Sequence, residues 1–502
     1  MKALKPIAIA FIGVACAAAQ PLELQKGDVV AFVGGADLVR MQEDGRLEAA
    51  LTLRFREATP QFRDLAWEGD TVYFQNAVRE RWRTEAFGGW PEQLRRIKAT
   101  VVIFQFGKME SFDGIGKIAQ FTEAYGKLID ELTGEGRRAI LLAPSPFEWP
   151  AARERAALAS YTKAVATLAK NRKIPFITSD QANSVKAFIR GLTGKTEPNG
   201  PLYKQVRFTV REKHRLWVEY WRPTNWKCIF GDDSKRIFSK ASHGRPSIQE
   251  EWATYPALIQ AAENAIQEGV TWHAPAPSAL TGSKEANLKN ELASFEVLEG
   301  FKVNLFADES NGIANPLSVR WDANGRMYVA CSDAYPQIEP GVRGNDKVIT
   351  LRDTNGDGRA DESKVFADGL RIPTGMEVGP DRVYIGQGTE LLTLRDTTGD
   401  GYANERRTLL AGFGNGDSHQ TSNSFVWSPG GELWWCQGDG IESRVETPFG
   451  VSSLFQAGVF RLRPNELKLD GLLDDFMGPG NPWGIAFDDY GQSFVIDGAG
   501  GV

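Results

Sequence analysis

The sequence predicts two domains of different class: an α/β sandwich built on a parallel sheet, followed by an all-β propeller that stops before its ring closes. Three observations carry this. Apolar strands alternate with amphipathic helical stretches from Gly27 to Ser179. After Phe295 the pattern changes to short strands and tight turns. Within that second half TLRDTNGDGRADESKVFADGL (Thr350 to Leu370) and TLRDTTGDGYANERRTLLAGF (Thr393 to Phe413) repeat each other 43 residues apart, the spacing of one four-stranded blade. At 502 residues the chain is also too long for one ordinary core.

The first twenty residues, MKALKPIAIAFIGVACAAAQ, place Lys2 and Lys5 before an apolar run and small residues ending at Ala19. That order predicts a secretory signal over residues 1–19, because the run is too short to span a bilayer. Export to a periplasmic or envelope location follows, with membrane association only through a lipid on Cys16 or through a missing C-terminal region. Between Gly27 and Ser179 the strands read DVVAFVG, FRDLAW, TVVIFQFG, AILLAPSP and IPFITS, with helices over Ala36 to Phe55, Trp90 to Lys98, Ile115 to Leu132 and Ala151 to Lys170. Near-continuous apolar strands between helices imply a parallel sheet covered on both faces. Ligands then belong at the carboxyl ends of the strands.

A helix from Ile248 to Gln267 closes this domain, taken as residues 20–270. The Pro/Ala/Ser-rich TWHAPAPSALTGSK that follows predicts an interdomain linker, taken as 271–294. From 295 onward the turns DANG, GPD, SPGG and DDYG each join two short strands with hairpin chemistry. Propellers close with four to eight blades. Here the chain ends just after a blade strand, so the expectation is a truncated propeller.

Composition narrows the partners. Hydrophobic residues make up 42% and charged residues 24%, with a net charge of -6, and no Lys/Arg stripe is evident, which argues against nucleic acid. Beyond Cys16 the cysteines are Cys228, Cys331 and Cys436, an odd number that makes no disulfide framework. Cys331 and Cys436 fall at the same place in two blade-like strands. No CxxCH haem motif occurs.

The blocks GDVVAFVGGADLVRMQEDGRLEAAL, LAWEGDTV and VVIFQFGKMESF resemble the opening of an SGNH/GDSL-type esterase, a flavodoxin-like three-layer sandwich. The resemblance puts the nucleophile position at Gly35 or Ala36, neither of which can attack a carbonyl. It matches Gly69 and Gly107 to the family's glycines and sets Met109 where an Asn should donate to the oxyanion. The expected His segment matches NGPLYKQ, which has none. The family pattern therefore implies a degenerate site. His214, read as an exposed helical residue, His243, Ser111, Asp37 and Asp70 are the residues a replacement triad would use.

The second half resembles the propeller of PVC-type membrane-bound dehydrogenases, relatives of glucose/sorbosone dehydrogenases. The carrying residues are FEVLEGFKVNLFA, LRDTNGDGRAD, SHQTSNSFVWSPGGELWWCQG, RVETPFGV and NPWGIAFDDYGQSFVIDGAGG. This implies a sugar or polyol substrate, a quinone (PQQ-like) cofactor and a cytochrome c acceptor, with a general base to take the hydroxyl proton; His419 is the only His available there. A non-catalytic carbohydrate- or partner-binding protein, and a divergent carbohydrate esterase, are the alternatives. In the loop holding Asp353, Asn355, Asp357 and Asp361, oxygen ligands alternate with turn glycines as in Ca²⁺ loops. Its twelfth position is Lys364, so it is no EF-hand. A solvated Asx-rich turn is the alternative reading.

Overall fold

A computed structural model describes residues 22–79, 81–180, 183–241, 245–278, 288–472 and 480–498. The secretory segment, Cys16 and His243 lie outside the described residues. None of the described helices is long and apolar enough to cross a membrane.

The first half is a five-stranded parallel sheet: β1 (Val29–Gly34), β2 (Gln61–Asp64), β3 (Val101–Gln105), β4 (Arg138–Leu142) and β5 (Phe176–Ile177). The strand order β2-β1-β3-β4-β5 is the flavodoxin-like arrangement, which places ligands where the order reverses, beside β1 and β3. Alternation along the strands divides their side chains between two cores. Ala31, Val33, Val102, Phe104 and Leu141 pack with Tyr125 and Trp221 on one face. Val30, Phe32, Val101, Ile103 and Ile140 pack with Leu47, Phe188 and Val206 on the other. That is why the strands read as continuous apolar runs.

The helical stretches appear, but several are broken. The predicted helix 36–55 is two, Ala36–Asp44 and Arg46–Arg54, because Gly45 between them takes a left-handed φ of 72° and closes the first helix through its own amide. The stretch 151–170 likewise divides into Pro150–Arg155 and Leu158–Arg172. Helix Pro201–Trp221 packs against Tyr255–Glu268. His214 corrects an expectation: it is only 6% exposed, and burial beside Arg222 and Lys213 drives its pKa down to about 3. The apolar Val210, Leu216 and Trp217 around it turn that face inward.

The second half consists of antiparallel sheets. Pro316–Trp321, Met327–Cys331, Asp346–Arg352 and Glu362–Leu370 form one meander; Pro373–Val378, Val383–Gln387, Glu390–Arg395 and Glu405–Ala411 form the next. Asn423–Trp427, Leu433–Gln437, Gly458–Arg463 and Lys468–Leu472 form a third, with the hairpin Glu442–Thr447/Gly450–Phe455 inserted before its third strand. Pro482–Phe487 pairs with Ser493–Asp497. All four turn motifs sit at hairpins, and the first strands of successive sheets lie side by side. Cys331 and Cys436 are free, buried and on the second strands of their sheets.

Candidate functional site

The inserted hairpin reaches the carboxyl ends of β1 and β3. Glu446, on strand Glu442–Thr447, is buried there. Its Oε1 accepts the backbone N–H of Ala36 at 2.6 Å and that of Gly69 at 3.1 Å. Both amides belong to positions that the SGNH resemblance marks, Ala36 at the nucleophile and Gly69 at a family glycine. Two residues earlier on the same strand, Arg444 donates to the Gly69 carbonyl at 2.9 Å and lies over the Phe74 ring at 4.0 Å.

Gly69 has to be glycine for this contact. It takes φ 73°, and a Cβ there would stand 2.6 Å from the Arg444 carbonyl oxygen. Gly107 is tied in from the other side: its N–H donates to Glu110 Oε2 at 2.8 Å while Glu110 Oε1 accepts from Val72 at 2.8 Å. Met109 is buried against Phe147 and Ala152. Ala36 and Met109 line the cavity beside Glu446, while Gly69 and Gly107 are tied to it through Glu446 and Glu110.

Around Glu446 is a cavity of about 20 Å³, room for about one water. Asp70 Oδ2 and Gln105 Oε1 are buried beside it with no hydrogen-bond partner among the described residues. Lys108 pairs with Asp37 at 2.7 Å. Burial raises the pKa of Glu446, with the Asp37 charge adding to it, pushes Glu110 up to about 7 and holds Asp70 well above the carboxylate range. Crowding of buried carboxyl groups thus makes each hold its proton more tightly than a free one does.

Ser111 is fully buried and its Oγ donates to the Lys108 carbonyl at 2.6 Å. His214 faces Asp64, with Nδ1 3.9 Å from Oδ2. Neither the histidine nor Ser111 lines the Glu446 cavity.

A second cavity of about 180 Å³ lies between the halves. Its walls carry the buried ion pair Arg222–Glu68 at 2.7 Å, the pair Arg371–Glu219, and Trp67 under the Arg222 guanidinium. Glu43 also lines it and keeps contact with solvent; enclosure by the cavity walls, and then the neighbouring Glu390 and Glu68 carboxylates, raise its pKa. Beside this cavity, Asn225 of the first half knits three segments. Its Oδ1 accepts from the Ser418 amide at 2.6 Å, and its Nδ2 donates to Pro336 and Gln337.

The Asn225 contact fixes the segment carrying His419. His419 Nδ1 lies 3.0 Å from Asp417 Oδ1, and the ring meets Tyr335 edge-on at 5.2 Å. Burial pushes Asp417 up, but the hydrogen bonds and charge of His419 outweigh it and hold the carboxyl below its usual range. In the Asx-rich loop, Asp353 accepts the amides of Gly356 and Gly358, Asn355 that of Asp357, and Asp357 that of Arg359. Asp361 receives the Thr354 hydroxyl at 2.7 Å. Among the described residues no three His, Cys, Asp or Glu side chains gather as a metal set.

Residues 287–501 match a family model described as a domain of unknown function, DUF7133. No curated protein matches the chain. Among solved structures, an acetylxylan esterase from Geobacillus stearothermophilus is 13% identical over 36% of this chain and 100% of its own, with a TM-score of 0.26. A lipase/acylhydrolase from Enterococcus faecalis is 16% identical over 35% of this chain and 99% of its own, with a TM-score of 0.23. A luciferin-regenerating enzyme is 14% identical over 36% of this chain, with a TM-score of 0.24, and the chain spans about half of its length, 52%.

Proposed function

We propose that the first half is a non-hydrolytic SGNH-type domain whose reaction face has become the seat of the second half, so that the protein works as one two-domain binding body. One observation carries this: the Glu446 carboxylate takes the amides of Ala36 and Gly69. An ester carbonyl could not use those two donors, and the side chain at the nucleophile position, Ala36, is a methyl group. The test is hydrolysis of p-nitrophenyl acetate. No turnover above buffer is expected; turnover abolished by Ser111→Ala or His214→Ala would contradict the reading.

A second reading is favoured by the Asp417–His419 pair. A carboxylate that orients an imidazole is the arrangement of a general base, and it lies in the half that resembles a dehydrogenase propeller. On that reading His419 would take the hydroxyl proton of a sugar or polyol, and a quinone, if bound, would supply the acceptor for the hydride. Substrate-dependent dye reduction with added quinone tests it, and activity unchanged in His419→Ala would remove His419 from the role. Export, the propeller architecture, a cytochrome c partner and Ca²⁺ in the 353–361 loop belong to the same proposal.

A further inference from the structure

A further concavity lies elsewhere. A cleft of about 1010 Å³ opens between helix Ser184–Thr193, the 196–200 loop and helix Pro201–Trp221, and it shares no lining residue with the two seam cavities. Its walls carry five cations, Lys186, Arg190, Lys204, Arg207 and Arg211, against two acids, Asp180 and Glu197. The spacings of four residues on the first helix, and of three and four on the second, set each row on one helix face. In a chain of net charge -6 this is a local reversal of sign.

Most of that charge is uncommitted. Arg46 grips Glu197 through Nε–Oε1 at 2.7 Å, and the Tyr203 hydroxyl donates to the same carboxylate at 2.7 Å. Arg207 is tied to the Asp44 carbonyl at 2.9 Å. Among the described residues, Arg190, Lys204 and Arg211 form no ion pair, Lys186 acts on Glu197 only through its charge, and all four are exposed. The row from Lys204 to Arg211 extends over about 10 Å of helix.

We infer that this cleft binds an acidic polysaccharide, a chain whose repeated carboxylates or sulfates meet the two cation rows in turn. Cations spread along two helices suit a polyanion better than a single anion, which needs converging donors. A single-stranded nucleic acid would need aromatic faces on which to stack its bases. The cleft's two rings do not provide them: Tyr203 is buried, and Phe208 lies under the Arg343 guanidinium at 5.2 Å. Concave walls also suit a chain better than a flat membrane surface. The inference goes beyond the reading of the Glu446 site and stands whether or not the first half hydrolyses esters.

The test is fluorescence anisotropy of labelled polygalacturonate with the whole chain, in low salt. Saturable binding is expected, weakened by added salt, with no binding of neutral dextran. Lys204→Glu/Arg211→Glu should weaken it at least tenfold with an unchanged thermal midpoint, and Lys163→Glu, on the exposed face of another helix, should leave it intact. Equal affinity in the double variant, equal binding of dextran, preference for single-stranded oligothymidylate, or no saturable binding by the unaltered protein would each overturn the inference.

Discussion

Glu446 and Ala36 are 410 residues apart in the chain, yet the carboxylate of one accepts the amide of the other at 2.6 Å. That bond joins the end of the first strand of one half to a hairpin of the other. It closes the place where a sandwich of this strand order would hold a ligand.

Removing the carboxylate should therefore loosen the protein. Glu446→Ala leaves the buried amides of Ala36 and Gly69 without an acceptor, at about 1–3 kcal/mol each, so a loss of about 2–4 kcal/mol is expected in urea unfolding. Glu446→Gln keeps an acceptor oxygen and should cost about 1 kcal/mol. Equal losses would show that charge, and not the hydrogen-bond acceptor, matters at this position.

Gly69→Ala should be as damaging as any change in the first half. The residue has φ 73°, and the new methyl would stand 2.6 Å from the backbone of Arg444. Strain and overpacking together suggest a loss of about 3 kcal/mol, read from the thermal midpoint. A loss below about 1 kcal/mol would mean that the seam gives way easily.

Stability should fall as the pH rises above neutrality. Burial pushes Glu110 and Asp64 up to about 7 in the folded protein, and Glu43 is raised as well, against about 4 when unfolded. Groups raised by folding stabilise below their unfolded pKa, and that stability is lost as pH passes through the folded value. Below about pH 6.5, His214, lowered to about 3, opposes the trend, because its charging favours the unfolded chain. Urea midpoints should decline from about pH 4 to about pH 8, most plainly above about pH 6.5 where His214 no longer opposes, and Glu43→Gln should make the decline shallower. A flat or rising profile there would contradict this.

The Ca²⁺ proposal for the loop at Asp353 makes its own forecast. If the ion binds, EDTA lowers the thermal midpoint and Asp353→Asn abolishes that shift. An unchanged midpoint would leave the loop as an Asx-rich turn held by its own amides.

Much of this architecture was legible in the sequence because it rests on local pattern. Strands such as Val101–Gln105 are apolar on both faces, and turns such as DANG and DDYG specify hairpins. The positions Ala36, Gly69, Gly107 and Met109 were named from the family resemblance laid on the strand ends. Glu446 was not, although RVETPFG was noted, since nothing local in that hairpin says that its Glu reaches the opposite half. His214 was misread as exposed because its neighbours Lys213 and Arg215 are charged, while Lys213 in fact folds inward to pair with Glu48. The cation rows escaped notice for a related reason: Lys204, Arg207 and Arg211 are separated by buried residues such as Val206 and Val210 and align only on a helix.

The most direct test of the joined seam is scanning calorimetry of the whole chain and of Glu446→Ala. The account predicts one cooperative transition in the unaltered protein, dividing into two in the variant as the halves lose their shared contact. Two separate transitions in the unaltered protein, both unmoved by the substitution, would contradict it.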